Sequence, residues 1–504
     1  MTATADASSG VIRSLVPARL DRLPWTSFHT RLVVALGVAW VLDGLEITIA
    51  SSVTGVLSQP GTLDMSATAV GAIATVYLVG EVVGALVFGR LSDRLGRRNL
   101  FTVTLLVYLV GSGLTAFTLG HGTGWILYLF ATRFIAGMGI GGEYAAINSA
   151  IDEMIPATYR GRVDIGVNGT YWAGAILGTL GTLVLLHSLS PAMGWRLAFL
   201  LGPVLAVVVV YVRRNLPESP RWLLMHGRTA EAERTMAAIE AQAGMPRGLP
   251  PVDDSGAIEV RPKPVGYRAL LRVLFVDHWR RSVLGATLMI TQSFLYNAIF
   301  FTYALVLTHF YGVRATDAPI YLIGFAAGNL LGPLTIGRLF DTIGRKQMIA
   351  GTYLVSGVLL AITAVLFDHG VLTAATQTAA WCVIFFFASA GASAAYLSVS
   401  EIFPLEVRGQ AIAVFFAIAQ CFGAVGPVLY GHLIGTGSDP SRLFAGYLIG
   451  GAVMVVGGVV EILLGVRAER RPLEAVARPL SAIPGTAVPR AAGATTTFSP
   501  RRED

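Results

Sequence analysis

The residues with the most evident chemical potential are carboxylates that stand inside long apolar stretches. Asp43 and Glu46 are three residues apart, so on a helix they share one face. Glu81 and Glu143 lie inside further apolar stretches, and Arg133 adds a cation. A buried carboxylate that gains or loses a cationic partner changes its affinity for a proton. The predicted chemistry is reversible proton binding, and static ion pairs between helices are the alternative.

Glu81 and Glu143 are candidates for a proton relay. Glu81 stands three residues before Gly84, where helices could approach closely, so hydrogen bonding across that contact is an equal alternative. Glu143 follows a run of small residues, 137–142, which favours helix packing. No strand precedes this run, so it is not predicted to bind phosphate.

The composition places these groups in a membrane. Of the 504 residues, 54% are hydrophobic and only 13% are charged, with a mean hydropathy of +0.65, whereas soluble domains carry about 25% charged residues. The net charge of +7 is spread over short turns and forms no single stripe, so nucleic acid is excluded as a partner. The lipid bilayer is the expected environment.

Twelve apolar spans, each about 20 residues or longer, are predicted, which is the length that crosses a bilayer. The six spans of each half are near 31–55, 69–88, 100–119, 125–150, 163–188 and 195–213, and near 281–308, 318–336, 347–367, 373–400, 410–434 and 442–466. If the spans alternate, most Arg and Lys residues of the short connections lie on one side. That side is predicted to be cytoplasmic and to carry both termini, in the cell membrane.

These spans divide the chain into five predicted segments. They are an N-terminal cytoplasmic segment, a six-helix bundle, a cytoplasmic helical linker, a second six-helix bundle and a disordered cytoplasmic tail, at 1–30, 31–213, 214–280, 281–466 and 467–504. The fold class is therefore an all-α polytopic membrane protein.

Two charged turns occur twice at one spacing, which indicates an internal repeat. The turn 89–98 recurs at 337–346, and the turn 153–161 recurs at 401–409, each 248 positions later. Topology signals need arginine, but they do not need the aspartate and both glycines in register. We therefore expect a cytoplasmic gate of ion pairs that break on opening, with simple topology determinants as the alternative. The expected gate residues are Asp93, Arg97, Arg98, Glu153, Arg160, Asp341, Arg345, Glu401 and Arg408.

The twin G-x-x-x-D-x-x-G-R-[RK] turns, the twin E-x-x-P-x-x-x-R-G turns and the sequence Pro-Glu-Ser-Pro-Arg-Trp-Leu at 217–223 resemble the major facilitator superfamily. Within it they resemble the sugar-porter branch and its relatives that carry aromatic acids and organic ions. The resemblance covers about 31–466. It implies two pseudo-symmetric six-helix bundles that rock about a site at the bilayer midplane, and a monomer.

The resemblance also implies roles for the intramembrane charges. The segment Gly44-Leu45-Glu46 is similar to the one that carries the proton-coupling acid of sugar symporters. The pair Asp43 and Glu46 is similar to the paired acids of aromatic-acid symporters. Arg133 matches the arginine that pairs with the acid in the sugar branch, so Asp43, Glu46 and Arg133 are expected to carry proton coupling.

The resemblance is weaker at the substrate side. Gln292, Asn297 and Phe300 match the core of the sugar-porter signature, but Leu295 replaces its glycine. Phe301 and Thr302 occupy the positions of two tyrosines in that family. Asn168 occupies the position of a glutamine of the family, and Tyr396 that of a tryptophan. Amides and rings suit hydroxyl-rich or planar ligands, so Asn168, Gln292, Asn297 and Tyr396 are the expected substrate-binding residues. Hydrogen bonding between helices is the alternative role for the amides.

The resemblance implies secondary active transport: proton-coupled uptake of a small polar metabolite, either a sugar or polyol or an organic or aromatic acid. A passive facilitator, an organic-cation transporter and a non-transporting sensor are the alternatives. No enzyme is expected, because no catalytic or metal-ligand constellation stands out. No cofactor is expected, and the proton gradient supplies the driving force.

Overall fold

The computed structural model describes residues 4–6, 11–57, 62–65, 67–213, 216–243, 249, 251–252, 257–260, 266–313, 318–404, 406–434, 440–469, 471 and 473–480. The side chains of Asp93 and Arg97, two of the expected gate residues, lie outside the described part of the chain.

Among the residues that the structure describes, the first half of the chain forms eight helices. They are α1 Val16–Asp21, α2 Ser27–Leu57, α3 Ala67–Leu95, α4 Arg97–Ala116, α5 Thr123–Met154, α6 Arg160–Gly169, α7 Tyr171–Ser188 and α8 Pro191–Arg213. The connection between the halves holds α9 Pro220–Met225, α10 Thr229–Ala241, α11 Tyr267–Arg272 and a π-helical turn, Val273–Asp277. We call the membrane face that carries this connection the linker face.

The second half repeats the pattern. Its helices are α12 Trp279–Tyr311, α13 Ala318–Ile336, α14 Leu339–Thr342, α15 Arg345–Asp368, α16 Ala374–Ile402, α17 Arg408–Gly423, α18 Val425–Ile434, α19 Pro440–Leu464 and α20 Leu473–Val476. Within the described residues, twelve helical stretches are long and apolar enough to cross a membrane, as predicted. Three of them join two helices each, namely α6 with α7, α13 with α14 and α17 with α18.

Glycines set the helix spacing inside each half. A Cβ atom on Gly84 would lie 2.1 Å from the carbonyl oxygen of Met138, so α3 and α5 touch through their backbones. A Cβ on Gly332 would lie 2.0 Å from the carbonyl oxygen of Phe386, which brings α13 and α16 together in the same way. Small residues allow this close packing where lipid supplies no hydrophobic drive between helices. The two halves therefore repeat each other in these glycine-mediated helix contacts as well as in sequence.

The repeated turns need glycine for a backbone reason. Gly96 precedes α4 with a φ of 87°, and Gly344 precedes α15 with a φ of 123°. These angles are unfavourable for residues with a Cβ atom. The two halves meet where α3 packs on α17 and α7 packs on α13.

The segment before the first span is folded against the connection between the halves. Strands β1 Thr4–Asp6, β2 Val11–Ser14 and β3 Ile258–Val260 form an antiparallel sheet. Arg19 of α1 forms ion pairs of 2.5 Å with both Glu233 and Glu240 of α10. The tail was predicted to be disordered from residue 467, whereas 473–476 form the helical turn α20, whose Leu473 is buried.

The α1–α10 contact is expected to weaken at low pH. Burial raises the pKa of Glu240, but hydrogen bonds from Arg19 and Arg22 outweigh it, so the net shift is downward. A carboxylate with a lowered folded-state pKa adds stability above its unfolded pKa of about 4.3, and this is lost as the pH falls through the folded-state pKa. The protection factors of the α1 amides, from which the intrinsic pH dependence of exchange is divided out, should therefore fall below about pH 4, by about fivefold for a pair worth roughly 1 kcal/mol.

The control for this prediction is Glu231→Gln, because among the described residues Glu231 makes only an exposed ion pair with Arg228. Glu240→Gln should lower the protection factors of α1 at neutral pH and remove most of their pH dependence, whereas Glu231→Gln should do neither. Equal profiles for the wild type and Glu240→Gln would contradict the assignment.

Candidate functional site

A cavity of about 130 Å³ lies between the two halves. Helices α2, α3, α5, α6 and α7 of the first half and α12, α16 and α17 of the second half contribute its lining. An engineered protein cavity of about 150 Å³ binds benzene, so this space suits one small ring. Most of the large lining side chains are aromatic: Trp40, Tyr77, Tyr144, Tyr171, Trp172, Tyr296, Phe300, Phe301, Tyr396 and Phe416.

The four residues expected to bind substrate all line this cavity, namely Asn168, Gln292, Asn297 and Tyr396. Gln292 donates a hydrogen bond of 3.4 Å to the Tyr396 hydroxyl. Asn168 donates to the side chain of Asp164, over 3.1 Å, and its Oδ1 atom has no hydrogen-bond partner among the described residues. The structure therefore brings the four together, and their role in binding stays a prediction.

Glu81 joins the two halves at the cavity. Gln420 of α17 donates a hydrogen bond to Glu81 Oε2, and Gln420 Oε1 accepts a bond of 2.8 Å from Ser293. Glu81 Oε1 is buried, with no hydrogen-bond partner among the described residues. Hydrogen bonding across the α3–α5 contact was one of the two predicted roles of Glu81, and its described hydrogen bond goes instead to the opposite half. An amide inside an apolar span was the available signal for Gln420, which the sequence analysis missed.

Glu46 lies in a fully buried ion pair with Arg133, whose Nη1 is 2.5 Å from Glu46 Oε1. The Ser112 hydroxyl lies 2.9 Å from both carboxylate oxygens, and Tyr108 donates to Oε2 over 3.0 Å. The Arg133 guanidinium lies 4.9 Å from the Tyr77 ring centroid, and Tyr77 also lines the cavity. The Tyr77 ring thus contacts the guanidinium of the ion pair and also lines the cavity.

Asp43 belongs to a different cluster. Its carboxylate is buried, with no hydrogen-bond partner among the described residues. The buried charges around it include Glu143 and Arg213, which form an ion pair of 2.5 Å, and also Glu81 and Glu46. Three residues along a helix correspond to a 4.5 Å rise and a turn of about 60°. Asp43 and Glu46 therefore meet different neighbours, and only Glu46 has the expected partner Arg133.

The linker face carries a cluster of ion pairs, one of which connects the halves. We call it the linker-face cluster, and it consists of Arg160, Asp341, Arg345 and Glu401. Glu401 pairs with Arg160 of the other half at 3.3 Å and with Arg345 of its own half. Asp341 lies 3.4 Å from Arg345 and accepts a hydrogen bond of 2.8 Å from the backbone of Arg162. All four cluster side chains are buried.

The other expected gate residues have different described contacts. Arg408 donates to the carbonyl oxygen of Phe403 over 3.3 Å, and the carbonyl oxygen of Glu153 accepts from Arg221. Arg98 is exposed, and its backbone N–H donates to Glu218 over 3.2 Å. This backbone contact joins Arg98 to the connection between the halves.

Comparison with known proteins decides the family. The profile described as "Sugar (and other) transporter" matches residues 42–478. The chain belongs to this family. The niacin transporter NiaP of Acinetobacter baylyi is 27% identical over 419 residues, which are 83% of this chain and 90% of that protein. The putative niacin/nicotinamide transporter NiaP of Bacillus subtilis is 32% identical over 192 residues, which are 38% and 45% of the two chains.

The fold of this sugar (and other) transporter family member is that of the major facilitator superfamily. A structure of the proton:xylose symporter XylE bound to 6-bromo-6-deoxy-D-glucose superposes with a TM-score of 0.74 and 19% identity. It covers 89% of this chain and 99% of its own. The protein is therefore a multi-pass membrane transporter and not an enzyme, as predicted.

In this family member, the segment before the first span also reaches the linker-face cluster, which the sequence analysis missed. Asp21 of α1 lies 3.5 Å from Arg160 and 3.0 Å from Arg221, both of which are buried. Arg213, the partner of Glu143, was missed as well. An arginine at the end of an apolar span has the pattern of a topology signal, and an aspartate in a polar segment has no pattern at all.

Proposed function

We propose that this transporter couples the uptake of a small metabolite with a planar ring to the inward movement of protons by alternating access. The observation that supports it is the Glu46–Arg133 pair, which is fully buried and whose guanidinium lies 4.9 Å from the centroid of Tyr77, a ring that lines the cavity. A ligand that displaces this ring alters the surroundings of the guanidinium and hence the affinity of Glu46 for a proton. Protonation and occupancy of the cavity are thereby linked.

A planar ring fits the cavity better than a hexose does. The lining is mainly aromatic and the volume is about that of one ring, and aromatic walls favour stacked or edge-on ring partners. Relatives of this chain are named for niacin, which is such a ring. The amides of Gln292 and Asn297 would then hydrogen-bond the polar substituent.

The linker-face cluster is proposed as the closed cytoplasmic gate. On this proposal the linker face is cytoplasmic, both termini lie there and the monomer in the cell membrane is the working unit. Breaking the Arg160–Glu401 contact would let the halves separate at this face while the glycine-mediated contacts within each half persist. Rocking of two rigid bundles is the motion that this division of contacts favours.

The proposal is tested with purified protein in liposomes, using radiolabelled nicotinamide, nicotinate and xylose as probes. With an acidic exterior, at least one ring probe should accumulate above its external concentration, and a protonophore should collapse that accumulation. A gradient of one pH unit supports about tenfold accumulation for each proton carried. Empty liposomes supply the control.

A passive facilitator is the second candidate, because Glu46 is held by Arg133, Ser112 and Tyr108 together and could be a static lock. A facilitator would equilibrate the probe at the same rate with and without the gradient and would never concentrate it. Absence of uptake for every probe would overturn the proposed function for these ligands.

A further inference from the structure

The cavity wall carries one kind of charge. Among its described lining residues, Glu81 is the only charged side chain. Glu81 is 1% exposed, and one of its carboxylate oxygens, Oε1, has no hydrogen-bond partner among the described residues. A buried acceptor left without a donor is unfavourable by about 1–3 kcal/mol and more when charged. A bound ligand with a donor group would therefore gain by donating to this oxygen.

Arg133 does not supply a cation to this wall. It is fully buried, is paired with Glu46 and lies 4.9 Å from the centroid of the Tyr77 ring. It is not part of the cavity lining. A ligand carboxylate in the cavity would therefore face Glu81 with no cation in the described wall to bind it.

The rings of the wall add to this preference. The face of an aromatic ring is negative, so it attracts cations, most strongly in Trp. Trp40 and Trp172 both line the cavity, with Tyr144 and Tyr396 near Trp40. Rings together with one carboxylate form the kind of site that binds organic cations and aromatic donors.

We propose that Glu81 selects the substrate by charge: the cavity takes a planar ring that bears a donor nitrogen or a positive charge, and it disfavours a ring that bears a carboxylate. This deepens the proposed function and rests on it, since it takes the cavity as the substrate site. Glu81 Oε1 accepts from the ligand nitrogen, while Glu81 Oε2 keeps its bond from Gln420. The ligand thereby binds the same carboxylate that connects the two halves through Gln420.

The test compares three probes that share one ring and differ in charge. Nicotinamide is neutral with an amide donor, 1-methylnicotinamide is a cation with the same donor, and nicotinate is an anion. Affinities for the purified full-length protein are measured by titration calorimetry at pH 7. The wild type should bind nicotinamide and 1-methylnicotinamide at least tenfold more tightly than nicotinate.

Three variants distinguish the effect of removing the charge of Glu81 from the effect of damaging the fold. Glu81→Gln should weaken 1-methylnicotinamide at least tenfold and should not weaken nicotinate, while Glu81→Asp should keep the wild-type order. Glu461→Gln is the matched control, because Glu461 is a carboxylate of α19 with 1% exposure that does not line the cavity. It should leave all three affinities unchanged.

Two results would overturn the proposal. If nicotinate binds the wild type as tightly as the other probes, or if Glu81→Gln leaves their order unchanged, Glu81 does not select by charge, yet the ring-binding transporter stands. If none of the three binds, the substrate class of the proposed function fails as well. The two failures are therefore distinguishable, and Glu81→Asp guards against loss of binding through misfolding.

Discussion

Glu46→Gln is expected to abolish proton-driven accumulation while exchange of labelled for unlabelled substrate continues. Glutamine can still accept the hydrogen bonds of Ser112 and Tyr108, so much of the local structure is retained. It cannot bind and release a proton, so the substrate gradient loses its link to the proton gradient. Exchange needs no net release of a proton and should therefore persist. The accumulation ratio in liposomes should fall from about ten at one pH unit to about one.

The same substitution should lower stability. Arg133 would keep its charge, fully buried, without its carboxylate, and removal of one partner of a buried pair typically costs about 3–5 kcal/mol. Part of this is offset by the rings of Tyr77 and Phe199, whose centroids lie 4.9 and 4.8 Å from the guanidinium. Unfolding should therefore be followed alongside transport, and Glu46→Asp, which keeps the charge, should retain some accumulation.

Glu461→Gln is the control for Glu46→Gln, since it neutralises a carboxylate that is equally buried and lies in the other half. It should preserve accumulation. Unchanged accumulation in Glu46→Gln would reject the coupling role and favour the static lock. Loss of both accumulation and exchange in a folded Glu46→Gln protein would show that Glu46 is needed for substrate movement itself.

Glu401→Gln is expected to shift the protein toward a state that is open at the linker face. The substitution leaves Arg160 and Arg345 buried without the carboxylate that both now contact. Loss of about 3 kcal/mol from the closed state corresponds to a population change of roughly 100-fold. Because transport needs both states, uptake should fall although the cavity is intact.

The opening can be measured as a distance between spin labels at Thr158 and Thr342, which are exposed at the linker face in opposite halves. Cys382 and Cys421 are free and must first be replaced. Glu401→Gln should populate longer distances than the parent protein. The control is Glu406→Gln, because Glu406 bonds the backbone of the tail residue Leu480. Identical distributions for Glu401→Gln and its parent would reject the gate.

The coupling residues show which features of the site can be predicted from the sequence. The sequence predicts the importance of Glu46 and Arg133, because both lie in apolar spans and match symporter positions. The sequence does not predict that Asp43 has other neighbours than Glu46, because these depend on how α2 is rotated against α5 and α8. The Glu143–Arg213 pair likewise depends on how α5 packs against α8, and no pattern along the chain contains it.

The cavity, too, was predicted in part from the sequence. Asn168, Gln292, Asn297 and Tyr396 were predicted from motif positions, and they share one cavity. Gln420 was missed, although its bond to Glu81 joins the halves, since residues 339 positions apart meet only after two bundles dock.

The sequence by itself determined the membrane-spanning class, the twelve helices, the repeat and its charged turns. These follow from the length and polarity of segments and from glycine spacing, which are properties of neighbouring residues. Only the tertiary structure decided which carboxylate pairs with which arginine, that Arg160 meets Glu401 across the halves and that Glu81 is the only charged residue in the described cavity wall. Such contacts depend on the rotation and docking of helices far apart in the chain, and packing of complementary surfaces sets both.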